Sequence, residues 1–458
     1  MFWHYTEWTN AFLIQLVAIL VAFLFGKKNK VESKDLFLAI SLVSPVALFL
    51  VSAGVAGAIF LSDIAAIYLL FRRNNPIKIN RINVFAFVLF ILWPIISTML
   101  SNAYSTIVLG DNNFDVKIFP IQTFRYFLYF ILFAKISSNT FYEPSYLMKI
   151  FKVQSIMLLF IFTAILLGFF NIMKIDAWNE LIKDKQLGLL GVGGSMFLYR
   201  GGVGTLSAIS IPLIYLCFIQ GSGIYKYLMA ILIIIVFSTV LFSGSRQGIT
   251  FTFLAFVFSI ILFKQFKNAI QITIIGTFII FLLMQNDAIR ETSDWVFSRY
   301  DILLDTNIDL TNEIGSRNFS MYDANKQNTE LIYKLSGKGL GGKIYPTESD
   351  YYNTYSYFGI IGLLIYAFFI LYTSYKIYLN WKAANDELVK HILVLALIIS
   401  IIIPLFGIQQ WYIMTYGSNN TINIYLILFI LSLAFSSSNN TNKENRNYIE
   451  PVHNKSNT

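Results

Sequence analysis

The stretch Lys226–Phe263, KYLMAILIIIVFSTVLFSGSRQGITFTFLAFVFSIILF, decides the fold. After Lys226 its two apolar runs, 226–243 and 248–263, carry no charge. Each approaches the about 20 apolar residues that cross a bilayer as a helix. In hydrocarbon a chain must satisfy its backbone polar groups internally, so such runs read as helices. Only Ser243-Gly244-Ser245-Arg246-Gln247-Gly248 separates them, which makes the pair a helical hairpin turning on one arginine.

Working outward, the same pattern recurs along the chain. The candidate runs are 8–26, 36–53, 55–71, 83–101, 120–136, 153–171, 205–220, 226–243, 248–263, 268–285, 354–376, 391–408 and 419–435. This predicts an all-α polytopic transmembrane bundle of about 12–13 spans over residues 1–435, with a disordered Asn/Ser/Thr-rich tail over 436–458. The stretch 36–71 admits two readings: two short spans turning near Gly54 and Gly57, or one span plus a re-entrant piece. Composition agrees with the membrane class. The 458 residues are 56% hydrophobic and 13% charged, against about 25% charged in ordinary soluble chains.

The net charge of +9 does not indicate nucleic-acid binding, because the basic residues cluster between apolar runs instead of forming one stripe. Lys27, Lys28, Lys30, Lys34, Arg72, Arg73, Lys78, Arg81, Lys135, Lys149, Lys152, Lys226, Lys264, Lys267, Lys376, Lys382 and Lys390 fall on one side when the spans alternate. Cytoplasmic loops are enriched in lysine and arginine, so that side reads as cytoplasmic. The single Cys217 excludes an intrachain disulfide. The run 8–26 is followed by lysines without a small-residue cleavage site, and reads as a true first span.

The opposite, outer side then carries 102–119, 171–204, the turn 243–248, the long segment 286–353 and 409–418. Segment 286–353 is too aromatic for a linker, with Trp295, Tyr300, Tyr351 and Tyr352, and is expected to hold short surface helices. Chemistry on this side would draw on a few residues. Arg246 is either an interfacial anchor or a functional cation in a Gly/Ser-flanked turn. Arg200 opens Arg-Gly-Gly-Val-Gly204, either as a loop-to-helix junction or as a second cation entering the outer leaflet. Two such arginines suit a phosphate or diphosphate, whose oxygens accept paired charge-assisted bonds.

Gly337–Lys343 has the G-x4-G-K spacing of a phosphate loop, but Ile344 stands where Ser or Thr would hold magnesium. A glycine turn positioning the next segment is the better reading. Glu348 and Asp350 precede a span, either as a solvated helix start or as a carboxylate able to take a proton from a hydroxyl. Arg125 lies near the outer end of the run 120–136, as a headgroup contact or a snorkelling cation. His4, His391 and His453 do not cluster with carboxylates, so no metal site is expected.

Taken in order, Arg200–Gly204, Ser245–Gly248, Gly337–Gly342 and the span opening Gly359-Ile-Ile-Gly362 resemble the O-antigen polymerase and ligase superfamily. The resemblance implies a C-type glycosyltransferase architecture acting on the periplasmic face of the bacterial inner membrane. It implies an undecaprenyl-diphosphate-linked glycan as donor and another as acceptor, with no metal or nucleotide sugar and with a chain-length regulator as a partner. Ligases of the group carry a histidine where the long loop meets the next span; this chain has Glu348-Ser-Asp350 there, which favours a repeat-unit polymerase for O-antigen or capsule. On this reading Arg200, Arg246 and Glu348 are catalytic. Arg317, Arg125, Arg299, Asp350, Tyr351 and Tyr352 contact substrate, with the tyrosines and Trp295 stacking on sugar rings. A ligase or protein O-oligosaccharyltransferase of the same superfamily is the alternative. A lipid-linked oligosaccharide flippase is the alternative of another class, which would show paired repeat halves and interrupted helices near the midplane.

Overall fold

The computed structural model describes residues 5–44, 47–50, 58–71, 76–110, 118–138, 143–169, 200–242, 246–283, 285, 330–342, 350–407 and 424–436. Its helices are α1 (Tyr5–Lys28), α2 (Ser33–Ser41), α3 (Leu61–Phe71), α4 (Arg81–Ile107), α5 (Ile118–Ser137), α6 (Pro144–Phe169), α7 (Arg200–Ile219), α8 (Gly223–Phe242), α9 (Arg246–Phe263), α10 (Phe266–Leu283), α11 (Leu331–Ser336), α12 (Asp350–Ala383), α13 (Glu387–Gly407) and α14 (Ile424–Ser436). Arg81–Ile107, Pro144–Leu167, Gly223–Phe242, Tyr351–Ala383 and Glu387–Leu405 are each long and apolar enough to cross a membrane. The chain is thus a multi-pass helical bundle, as its composition requires. The tail beyond Ser436 and the outer segments 171–199 and 408–423 lie outside the described residues.

The stretch 36–71 corrects the expectation of two spans. It folds as α2, a two-stranded antiparallel hairpin of β1 (Ala47–Leu50) and β2 (Ala58–Phe60), and α3. At 1.5 Å per residue α2 covers about 14 Å and α3 about 16 Å, too short to cross about 30 Å of hydrocarbon. Gln15 of α1 donates to Ser44 Oγ at 2.7 Å, which places the end of α2 about 20 Å up α1 from Lys28. The hairpin therefore lies at depth, where pairing Phe49 with Ile59 and Leu50 with Ala58 satisfies backbone groups that lipid cannot. Ser44-Pro45 explains the interruption, since a proline disfavours helix in the residue before it.

Helix α7 is the central post. From Val203 to Phe218 every residue is buried, as expected of a helix apolar all round. It packs against α6, α8, α9 and α13. Thr205, Ser207 and Ser210 of α7 and Thr252, Ala255 and Ser259 of α9 are fully enclosed, the small side chains that let helices approach closely in membranes. Ser207 and Ser259 return their hydroxyls to carbonyls one turn back, on Val203 and Ala255, both at 2.7 Å.

One end of the bundle is tied by polar contacts among helix termini. Tyr146 of α6 donates to Asp35 at 2.9 Å, and Tyr225 at the start of α8 stacks on Phe25 of α1. Gln220 meets His391 at 2.9 Å, Asn380 donates to Ala434 O, and Asn83 bonds Ser137 and Ser138 at 2.6 and 2.7 Å. Most described lysines of the connections collect at this end, among them Lys27, Lys78, Lys152, Lys226, Lys264, Lys382 and Lys390, whereas Lys334 and Lys338 lie at the other. The alternation expected from charge is therefore matched by packing.

Away from that end, Asp63 of α3 and Arg125 of α5 pair inside the protein at 3.4 Å, 4% and 5% exposed. Asp63 Oδ2 also accepts from Phe60 N at 2.9 Å, half of a capping box at the start of α3, and Asp63 Oδ1 accepts from Tyr425 at 2.7 Å. The Arg125 guanidinium stands 5.8 Å from the centre of the Phe60 ring. Arg125 is therefore buried and ion-paired rather than snorkelling. Removing one partner from a buried pair strands the other charge, at a cost of about 3–5 kcal/mol. We expect Asp63→Ala to lower the thermal midpoint of detergent-solubilised protein sharply, and Asp63→Ala with Arg125→Leu to recover much of the loss. A single variant as stable as the parent would show that the pair does not hold α3.

Candidate functional site

The end opposite the lysine-rich one is built around a break in α12. At Gly359 (φ 66, ψ −170) the helix is interrupted, leaving 350–358 as a separate segment from 360–383. The carbonyls just before the break lose their helical donors. Each finds another: Lys338 N donates to Ser356 O at 2.9 Å, Gly339 N to Tyr357 O at 2.8 Å, and Trp93 Nε1 to Phe358 O at 3.0 Å. Ser97 Oγ, on α4, reaches Tyr357 O at 3.2 Å and also Ser336 O. A Cβ on Gly359 would sit 2.2 Å from Leu335 O, and one on Gly362 would sit 2.9 Å from Trp93 Nε1. The Gly-Ile-Ile-Gly motif thus opens the break and admits the indole that caps it.

The glycine-rich segment 337–342 is the other half of this clasp. Leu340 N donates to Thr98 Oγ1 at 2.8 Å and Gly341 N to Gln122 Oε1 at 3.0 Å. With Lys338 and Gly339 already committed to α12, the N–H groups that a phosphate loop would turn toward an anion are engaged by protein acceptors. The segment positions the start of α12, as its sequence suggests. Lys338 lies half-buried within it, and desolvation pulls its ammonium below the usual lysine range. The short α11 precedes it, bearing out in part the expected helices of the long loop, and Tyr104 of α4 donates to Glu330 at 3.0 Å beside it.

Arg200 and Arg246 are the first residues of α7 and α9, neighbouring helices that run in the same direction. Tyr215, about four turns along α7, meets Phe256 and Phe263, about three to five turns along α9, with ring centres 5.7 and 6.0 Å apart. The two helix heads are therefore level to within about a turn. Helix N-termini carry partial positive charge, so each of these heads, begun by an arginine, favours an anion. Helix α13 packs on both α7 and α9. Tyr351, next to Asp350 at the head of α12, donates to Pro404 O of α13 at 2.6 Å. Helix α13 thus contacts α7, α9 and, through Pro404, the head of α12.

The residues expected to work together thus divide. Arg200 and Arg246 open α7 and α9, and Asp350, Tyr351 and Tyr352 open α12. Tyr351 has its hydroxyl on Pro404 O and its ring 6.1 Å from Tyr366, and is partly buried, so it serves packing first. Arg125 is engaged with Asp63. Glu348, Arg299, Arg317 and Trp295 lie outside the described residues. Sequence reasoning missed Asp63, although a lone acid within an apolar run was a signal. It also missed Trp93, Ser97, Thr98 and Gln122, which lie within apolar runs and form no motif. Among the described residues no group of His, Cys, Asp and Glu could hold a metal ion. No protein-family model and no curated protein matches the chain.

The clasp makes a direct prediction. An alanine at Gly359 must take an unfavourable positive φ and displace the Leu335 carbonyl, a strain of about 1–3 kcal/mol or more. Gly223 has a similar φ of 56 with open space around it. We expect Gly359→Ala to lower the thermal midpoint clearly more than Gly223→Ala. Equal effects would mean that close packing at the break does not matter.

Proposed function

We propose that this protein is a membrane glycosyltransferase that polymerises polyprenyl-diphosphate-linked oligosaccharide units on the outer face of the membrane. The observation that carries the reading is the pair of arginine-headed helices, α7 and α9, level with each other at the end opposite the lysine-rich one. By the positive-inside rule the lysine-rich end is cytoplasmic and the arginine heads face outward. An acceptor hydroxyl attacks the anomeric carbon of the donor as the bond to the diphosphate oxygen breaks, and the electron pair leaves with the diphosphate. Arg200 and Arg246, helped by the two helix N-termini, offset the charge that develops there. Glu348 takes the hydroxyl proton, with Asp350, the first residue of α12, as the reserve. The order of Arg200–Gly204, Ser245–Gly248, Gly337–Gly342 and Gly359–Gly362 along the chain supports the same class.

A carrier of lipid-linked glycan would place its helix interruption at mid-depth. Here 360–383 extends about 36 Å beyond the break, long enough to cross alone, so the break sits at the rim. This favours a rim site over a midplane translocation site. The polymerase and ligase readings part on product. Deletion of the gene should leave single repeat units for a polymerase, and polymer stranded on the lipid carrier for a ligase.

We expect Arg246→Ala to reduce polymerisation by about 10²-fold or more while membrane levels stay normal. Wild-type chain lengths on a glycan-stained gel would sink the assignment. For Glu348→Gln a loss of similar order is expected; unaltered polymer would remove the carboxylate from the mechanism.

A further inference from the structure

A groove of about 370 Å³ runs between α4 and α5 and ends on the glycine-rich segment. Phe90 and Ile95 line it from α4, Phe119, Phe124 and Phe127 from α5, and Leu340 forms its inner end. The groove has a structural origin. Pro94 cannot donate a backbone hydrogen bond, and just before it residues 88–92 widen into a π-helical turn, with Trp93 N donating to Val88 O. Its walls belong to the apolar runs 83–101 and 120–136, so it lies at hydrocarbon depth and opens sideways, where Phe124 is exposed.

We infer that this groove seats one acyl chain of a bilayer phospholipid. An apolar cavity of this size offers water too few partners to stay wet. Left void, it would forfeit dispersion contacts along its whole lining. The medium its mouth opens on is the hydrocarbon of the membrane, whose chains are flexible and narrow enough to enter. The seated chain ends on Leu340, whose backbone N–H is held by Thr98. It therefore braces the clasp that sets the head of α12. The inference stands apart from the proposed reaction.

The test uses the full chain in nanodiscs made with a phosphatidylcholine bearing a diazirine midway along one acyl chain. After illumination, adducts are mapped by peptide mass spectrometry. The freely exposed face of α10, with Ile270, Ile274, Phe278 and Phe281, reports ordinary lipid contact. Adduct yield on Phe119, Phe124 and Phe127 should exceed that face by about threefold or more, the modest preference that packing alone gives in lipid. Adducts should also appear on Leu340, which is 1% exposed and lines the groove. Ile95→Trp, which fills the groove, should bring these adducts down to the α10 level and leave α10 unchanged. Groove yields no higher than α10 in the parent protein, or no adduct on Leu340, would overturn the inference without recourse to the variant. Selective loss of the groove adducts on adding a polyprenyl phosphate would overturn the acyl assignment in favour of an isoprenoid chain.

Discussion

The carbonyl oxygens of Ser356, Tyr357 and Phe358 govern the arrangement of the rim. A helix may stop within or beside hydrocarbon only if its last carbonyls are supplied with donors, because lipid has none to offer. Here the donors come from three places: the backbone of the glycine-rich segment, the Trp93 indole and the Ser97 hydroxyl. Meeting that requirement fixes the segment against α4, the segment in turn binds Thr98 and Gln122, and the head of α12 takes its place next to Pro404. Much of what the site needs in precision follows from this one unsatisfied turn of helix.

The other half of the bundle solves a related problem with charge. The re-entrant α2–hairpin–α3 unit carries Asp63 into the interior, where burying a carboxylate is costly unless it is paired and hydrogen-bonded. Arg125, Phe60 N and Tyr425 together provide that. The arrangement resembles the rim in logic: an irregular backbone held at depth by groups from helices distant in sequence. It engages Arg125 within the fold, whereas Arg200 and Arg246 stand first in α7 and α9.

Much of the architecture was legible in the residues because hydrophobic length and lysine placement are imposed by the bilayer itself. The long runs became helices, and most of the described lysines between them gather at one end of the bundle. The helices α7 and α9 begin at their arginines, a few residues earlier than the apolar runs suggest, because Gly and polar side chains can join a helix without lengthening its hydrophobic stretch. Of the two readings of 36–71, two short spans fail because apolar content alone does not register Ser44-Pro45 or the acid at Asp63. The glycines of 337–342 and Gly359 announced a tight backbone but not its partner. Which N–H meets which carbonyl depends on Ser97, Thr98 and Gln122, more than two hundred positions away, and no local pattern encodes that.

The bond from Tyr425 to Asp63 spans 362 positions, and it gives the chain a birth order. Asp63 enters the membrane early in synthesis, and Arg125 follows 62 positions later. The tyrosine that completes the set arrives only with α14, the last of the described helices. Until then Asp63 lacks one of its hydrogen-bond donors, so its final seating follows synthesis of the preceding helices. Quality control in the membrane would thus have a long interval in which to recognise unfinished molecules. A nascent chain stopped short of Ile424 would carry a buried acid still awaiting one of its donors.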